Sequence, residues 1–335
     1  MTAPIVSILI VNYNSGDRLT RALACLQAQT FQGFETIVID NASSDDSLAR
    51  ARAVAPECRF IDAGANLGFA AGNNRAAQSA RGEWIAFLNP DAYADPPWLE
   101  NLLAAAARYP FADAFGSTQL MDDDPARLDG AGDVFHILGI PYRGGFGAPA
   151  ETIIADGECF APCAAAALYR RSVFQALGGF DERFFCYGED VDLGFRLRLS
   201  GGRAVQVRNA IVRHEGSGVT GRYSEFTVYH GNRNRIWATF KSMPAALYWP
   251  LTPARLAADL YLLVRAAMTG RGKAYARALI DGYGGLARFG ADRRRLARSR
   301  TVPVRRLARA FAWPLSMLTR RTPDLRPVTP RDGAA

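Results

Sequence analysis

The run Val6-Ser-Ile-Leu-Ile-Val11 constrains this chain more than any other feature. A strand with one wet face alternates polar and apolar residues. A β-branched run without that alternation suits a strand covered on both sides, as in a parallel sheet layered between helices. The run stops at Asn12-Tyr13-Asn14-Ser15-Gly16, which reads as a turn with a helix cap. Leu19, Ala22, Leu23 and Leu26 follow at helical spacing. The same unit then repeats. Thr36–Asp40 reads as a second strand, followed by Asn41-Ala-Ser-Ser-Asp45 and a helix to Ala55. Arg59–Asp62 is a third, short strand, and a helix over Ala70–Ala80 precedes a fourth strand at Trp84–Asn89. Strands alternating with helices imply right-handed βαβ units, so the expected class is α/β with helices on both faces of the sheet.

Sheets of this kind bind ligands beyond the carboxyl ends of their strands. Polar residues collect there: Asn12 and Asn14 after the first strand, Asp40 after the second, Asn89 and Asp91 after the fourth. Any one alone is explained by a cap or an Asx turn. Three such ends in one sheet point to a shared pocket. A Gly-x-x-x-x-Gly-Lys-Ser/Thr phosphate loop is absent, and the glycines of Gly64–Gly72 do not directly follow the first strand. A dinucleotide dehydrogenase is therefore disfavoured.

Charge divides the chain. Its 40 basic and 32 acidic residues give a net +8. Residues 1–240 hold 21 basic and 27 acidic residues, a net −6, and residues 241–335 hold 19 and 5, a net +14. Five scattered cysteines, among them Cys159 and Cys163 four apart without a second pair, read as buried thiols. Met1-Thr2-Ala3-Pro4 lacks a basic leader region, and no stretch of eighteen uncharged apolar residues occurs. Neither a signal peptide nor a membrane-spanning helix is expected, and the chain is expected to stay in the cytoplasm.

The ordered motifs resemble those of family 2 glycosyltransferases with the GT-A fold. Val6–Asn14 and Val38-Ile-Asp40-Asn41-Ala-Ser-Ser-Asp45 are similar to the family's opening. Asn66-Leu-Gly-Phe-Ala-Ala-Gly-Asn-Asn74, Phe87-Leu-Asn-Pro-Asp91 and Gly178-Gly-Phe-Asp-Glu-Arg-Phe-Phe-Cys-Tyr-Gly-Glu-Asp-Val-Asp-Leu-Gly-Phe-Arg196 are similar to its rhamnosyltransferase-like branch. The likeness extends over residues 5–240.

The resemblance implies a nucleotide-sugar transferase assisted by a divalent cation, Mg²⁺ or Mn²⁺. Such an ion, held by oxygen ligands, neutralises the charge that develops on a diphosphate leaving group. Asp91 would hold it, with His214 as a second ligand. Asn89 stands where the family usually has an aspartate, so this ligand set has one charge fewer. Asp40 corresponds to the aspartate that recognises the imide nitrogen of uracil or thymine, which implies a UDP- or dTDP-sugar. Asp190 corresponds to the catalytic base that takes the acceptor's proton, with Glu189 binding acceptor or tuning Asp190, and Asp192 capping the helix. Asn12, Tyr13, Gly68, Asn74 and Asn89 are expected around the substrates, and Arg233, with Arg213 and Arg235, on the phosphates.

The expected division is a catalytic domain over 1–240, a basic amphipathic helical extension over 241–322 and a disordered tail over 323–335. Leu247-Tyr-Trp-Pro-Leu, Leu260-Tyr-Leu-Leu-Val-Arg and Phe311-Ala-Trp-Pro-Leu-Ser-Met-Leu lie among arginines such as Arg293–Arg295, Arg298 and Arg300. Apolar patches with Trp beside arginines suit helices lying on an anionic membrane at the inner face of the cell membrane, and not a nucleic-acid partner. The activity expected is inverting transfer of a sugar, with rhamnose in view, onto a lipid-linked or polysaccharide acceptor in envelope glycan synthesis. Two rival readings are a nucleotidyltransferase on a similar sheet and a sugar-nucleotide-binding membrane scaffold without turnover.

Overall fold

A computed structural model describes residues 3–216, 218, 221 and 223–329. The expected alternation is present as β1 (Val6–Asn12), α1 (Arg18–Gln27), β2 (Phe34–Asp40), α2 (Ser47–Val54), β3 (Arg59–Asp62), α3 (Gly68–Ala77) and β4 (Trp84–Leu88). β1 pairs in parallel with both β2 and β4, and β2 with β3. Its unbroken apolar run is explained by the two cores it feeds. Val6, Ile8 and Ile10 join Leu19, Leu23 and Leu26 of α1 on one face. Leu9 and Val11 join Ala70, Ala76 and Ala77 of α3 on the other. Small residues let α3 lie close to the sheet, and a Cβ added at Gly72 would come within 3.1 Å of Val11.

The second half departs from simple repetition. It runs through β5 (Ala92–Ala94), α4 (Trp98–Arg108), β6 (Ala114–Met121), β7 (Leu128–Gly130), the hairpin β8 (Asp133–His136) and β9 (Ile140–Arg143), then β10 (Gly157–Cys159), β11 (Ala166–Arg170), α5 (Arg171–Ala176), α6 (Glu189–Leu199) and β12 (Ala204–His214). Among the described residues the main sheet has the order β10-β12-β6-β11-β4-β1-β2-β3. β11 is antiparallel between β4 and β6, and β12 is parallel to β6. The far end of β12 pairs with β5, which sets His214 opposite Ala92, next to Asp91.

The extension is entirely helical: α7 (Glu225–Ser242), α8 (Ala245–Tyr248), α9 (Thr252–Met268), α10 (Gly272–Gly284), α11 (Gly290–Ser299), α12 (Val304–Arg309) and α13 (Leu315–Arg320), with α7 running across the expected boundary at 240. Met243, Tyr248, Leu307 and Phe311 pack with Phe135, Phe160 and Phe195, so the extension shares a core with the body. Of the expected apolar patches, Tyr248 and Phe311 belong to this core, whereas Trp249, Trp313 and Leu315 are exposed. The expected disorder from Pro323 onward is corrected for residues 323–329. Arg326 exchanges backbone hydrogen bonds with Glu158, and Arg203 donates to the carbonyl of Thr329. Residues 330–335 lie outside the described residues.

Asp192 is not a cap, because the residue flanking α6 is Gly188 in a left-handed conformation. The Asp192 carboxylate is buried and accepts from Arg196 Nε at 2.8 Å and Lys241 Nζ at 2.9 Å, and Lys241 also reaches Asp181 at 2.7 Å. Lys241 is only 2% exposed at its side chain, so this ion cluster clamps α7 onto α6. Removing Lys241 leaves the buried Asp192 to Arg196 and Asp181 to Arg183, each short of one cation. Lys241→Ala should therefore lower stability by about 3–5 kcal/mol, read from urea unfolding midpoints, and an unchanged midpoint would refute the clamp.

Candidate active site

A cleft of about 1190 Å³ opens beyond the strand ends, lined by Tyr13, Asn41, Asn66 and Gly68, by Asn89, Asp91, Asp190 and His214, and by residues of α7, α9 and α10. Asn89-Pro90-Asp91 turns between β4 and β5, closed by the Ala92 amide donating to the Asn89 carbonyl. Asp91 is buried and accepts from the Gly218 amide at 2.9 Å, and its Oδ1 lies 3.3 Å from His214 Nε2. His214 Nδ1 lies 2.7 Å from Asp129 Oδ2, and Arg143 pairs with the same carboxylate. Burial disfavours a charged imidazole, but Asp91 and Asp129 outweigh it and push His214 up to about 9. Burial likewise opposes charge on Asp91, yet the facing imidazole holds it well below the usual carboxylate range.

Asp190 lies in the first turn of α6 and accepts from the amides of Ala164 at 3.2 Å and Val191 at 2.8 Å. Ligand-type atoms of Asp133, Cys163 and Asp190 all lie within 4.8 Å of one another. Burial raises the pKa of Asp190 despite those amide donors. Burial first, and then the Asp190 charge, push Glu189 and Asp133 well above the ordinary carboxylate range. Arg143 acts the other way, lowering both Asp133 and Asp190 in part.

The turn that presents Asp190 is conformationally expensive. Phe185, Tyr187 and Gly188 all have positive φ, a state that ordinary residues adopt only under constraint. Two contacts impose it. Asn234 of α7, fully buried, donates from Nδ2 to the carbonyls of Phe184, Cys186 and Tyr187 at 2.6–2.9 Å. Gly68 supports the turn from α3, since a Cβ there would meet the Phe185 carbonyl at 2.6 Å.

Of the residues singled out in the sequence, Tyr13, Gly68, Asn89, Asp91, Glu189, Asp190 and His214 meet at this cleft. Four do not line it. Asn12 and Asp40 form a buried network: Asp40 accepts from Asn12 Nδ2, the Ser43 hydroxyl and the Ser43 amide at 2.7–3.0 Å, the geometry of an Asx turn. Asn74 bonds the backbone of Phe180 and Glu182 Oε1, bracing the segment before α6. Arg233 stacks on Trp237 with its guanidinium carbon 4.2 Å from the ring centre and bonds the Phe184 carbonyl. Arg213 lies outside the cleft beside Asp95, and Arg235, though at its wall, is paired with Asp259. The cations at the cleft include Arg143, Arg265, Arg271 and Arg321. Asp129, Asp133, Arg143 and Asn234 were not singled out in the sequence. The signal available for two of them is Leu128-Asp-Gly-Ala-Gly-Asp-Val-Phe135, where acids interrupt small and apolar residues.

Residues 7–178 match the model of glycosyl transferase family 2, and the chain belongs to that family of inverting sugar transferases. It is similar to the N-acetylglucosaminyl-diphospho-decaprenol L-rhamnosyltransferase of Mycobacterium tuberculosis, 31% identical over 298 residues, covering 79% of this chain and 94% of the relative. The O-antigen biosynthesis protein RfbC of Myxococcus xanthus is 32% identical over 224 residues, 63% of this chain but 17% of that protein. The fold is that of GT-A glycosyltransferases. The mannosyltransferase PcManGT of Pyrobaculum calidifontis, solved with GDP-Man and Mn²⁺, superposes with a TM-score of 0.55 at 18% identity over 89% of this chain and 85% of its own. GalNAc-T7, solved with UDP, GalNAc and Mn²⁺, gives 0.58 at 16% identity, over 73% of this chain and 49% of that one. Family membership sets aside the nucleotidyltransferase alternative.

Asn234 acts on the chemistry only through the turn it holds. Asn234→Ala should lower kcat by about 10²-fold with the nucleotide-sugar KM little changed, because Asn234 itself does not line the cleft. A matched change in both, or none in either, would reject a positioning role.

Proposed function

We propose that this protein transfers a sugar, rhamnose by analogy with its relative, from a dTDP- or UDP-sugar to a lipid-linked glycan acceptor at the inner face of the cell membrane, in envelope glycan synthesis. The observation that carries this reading is one cleft that brings Asp91 and His214 together with Asp190. The relative's printed activity supplies the acceptor class, a sugar diphosphate on a polyprenol.

The donor side is assigned to Tyr13, Asn41, Asn66 and Gly68, where the Tyr13 ring offers a stacking face for a pyrimidine. Asp40 and Asn12 brace this loop from beneath through Ser43. The cleft chemistry suits a divalent cation. Asp91 supplies a carboxylate, and two buried atoms near the strand end, Asn89 Oδ1 and His214 Nε2, lack hydrogen-bond partners. Asp129 accepts from Nδ1, so a cation that displaced the Nε2 proton would find the lone pair of that nitrogen free to bind it. Bound Mg²⁺ or Mn²⁺ would supply Lewis-acid stabilisation of the departing diphosphate. Arg143, Arg265 and Arg271 add positive charge to the walls.

Asp190 serves as general base. It takes the proton from the acceptor hydroxyl as that oxygen attacks C1, on the face opposite the leaving nucleotide, which inverts the anomeric centre. Glu189 and Asp133, kept protonated by burial, offer hydrogen-bond donors without adding charge beside the base.

The experiment is turnover of dTDP-rhamnose and UDP-sugars with a polyprenyl-diphosphate-linked N-acetylglucosamine acceptor. Asp190→Asn keeps the shape and removes the base, so turnover should fall by about 10²–10⁴-fold while donor binding survives. Since burial raises the Asp190 pKa, the ionised base is lost as pH falls through that raised value. The acid limb of kcat/KM should therefore lie above the ordinary carboxylate value of about 4. A limb at or below it, or full activity of the variant, would move the base elsewhere. Asp91→Ala should abolish turnover and weaken Mn²⁺-dependent donor binding measured by calorimetry, and full activity in EDTA would exclude the cation.

A further inference from the structure

α9 has two sides with opposite surroundings. At about 100° per residue, Leu256, Leu260, Tyr261, Val264 and Met268 fall within about 140° of arc. All five are exposed, Leu260 by 62% and Met268 by 82%. That arc contains no charged residue. The charges of α9 are Arg255 and Asp259, both buried on the opposite side, and Arg265 at the edge. From the buried side Leu262 and Ala266 line the catalytic cleft, and Thr269 and Arg271 continue its wall.

A contiguous apolar stripe of this size facing water marks an interaction surface. What covers it follows from its borders. Arg265, Arg271, Lys273 and Arg277 lie at or just beyond the C-terminal end of α9, and the body over 1–240 is net negative while the extension is net positive. Among the described residues no helix is long and apolar enough to cross a membrane. A helix with a wide apolar face, basic margins and Trp249 exposed just before its start suits the interface plane of an anionic bilayer.

We propose that the outer face of α9 is the membrane-docking surface, and that its inner face is the wall along which a lipid-linked acceptor leaves the bilayer to reach Asp190. The second half rests on the lipid-linked-acceptor reading; the first half does not. The geometry supplies the link, because one helix touches both environments and the acceptor would have only its thickness to cross.

The test uses Leu260→Ser/Val264→Ser, two exposed positions outside the catalytic machinery, in the full chain. Co-sedimentation with vesicles of phosphatidylcholine, with and without phosphatidylglycerol, should show wild-type binding that requires the anionic lipid and falls by about tenfold or more in the double variant. Turnover of an acceptor embedded in those vesicles should fall with it, while turnover of a short-chain, water-soluble acceptor stays at the wild-type level. Undiminished vesicle binding by the variant would overturn the docking surface. So would a wild-type dimer in light scattering that the variant dissolves, since a second copy would then cover the stripe. Loss of vesicle binding with both acceptors inert even for wild type would leave docking standing and reject the acceptor reading instead.

Discussion

A carboxylate buried at the end of a strand has to be compensated, and here the compensation organises the whole site. Asp91 faces the His214 imidazole, His214 faces Asp129, and Asp129 pairs with Arg143. Those four residues come from the turn after β4, the end of β12, β7 and β9. The sheet brings them together because β12 crosses beside β6 and extends far enough to pair with β5. Acid, imidazole, acid and guanidinium alternate in sign, so each buried charge has an opposite neighbour and none pays the full desolvation cost alone. The same alternation sets the Nε2 side of the imidazole against Asp91, with Asn89 lining the same cleft.

A second group follows the opposite rule. Asp133, Glu189 and Asp190 are like charges in a nearly dry space, and they keep only as much negative charge as Arg143 and the Ala164 and Val191 amides can support. Asp190 is the member with two amide donors, so it is the one that ionises most readily. Burial and the Asp190 charge push its neighbours Glu189 and Asp133 upward. Within the string of acids at 189–192, Asp190 is thus set apart by its backbone amide donors, while Asp192 is engaged by Arg196 and Lys241.

The first half of the molecule was legible because its information is periodic. β1 to β4 and α1 to α3 fall where the apolar runs and helical spacings put them, and the resemblance carried Asp91, Asp190 and His214 to one cleft. The residues that do not line the cleft are engaged elsewhere, by partners both near and distant in sequence. Asp40 and Asn12 spend their hydrogen bonds on Ser43 and each other; Asn74 reaches across to Phe180; Arg233 lies flat on Trp237. Nothing in the local sequence distinguishes an arginine on a phosphate from one stacked on indole. Asp129, Asp133 and Arg143 were not legible because short, irregular strands position them, and β7, β8 and β9 span only three or four residues each. Asn234 sat inside a stretch read for its arginines.

Net charge also misleads about where free charge lies. The extension's +14 accompanied a reading of its arginines as a membrane-facing array, yet several of them work inside the fold. Arg293 lies against the rings of Phe240 and Tyr248 and donates to the Phe240 carbonyl. Arg255 caps the α8 carbonyl of Tyr248, Arg235 closes on Asp259, and Arg326 pairs with Asp324 at the sheet edge. An arginine engaged with an aromatic face or a carbonyl cannot also lie flat on lipid headgroups. Around the apolar arc of α9, Arg271 lies over the Tyr223 ring and Arg277 over Tyr229 beside Asp281, whereas Arg265 and Lys273 are exposed, Arg265 at the cleft. Burying the polar pair Arg255 and Asp259 inward is what allows that arc to be purely apolar, so the interior ion pairs of the extension and its outward hydrophobic stripe are two consequences of one arrangement.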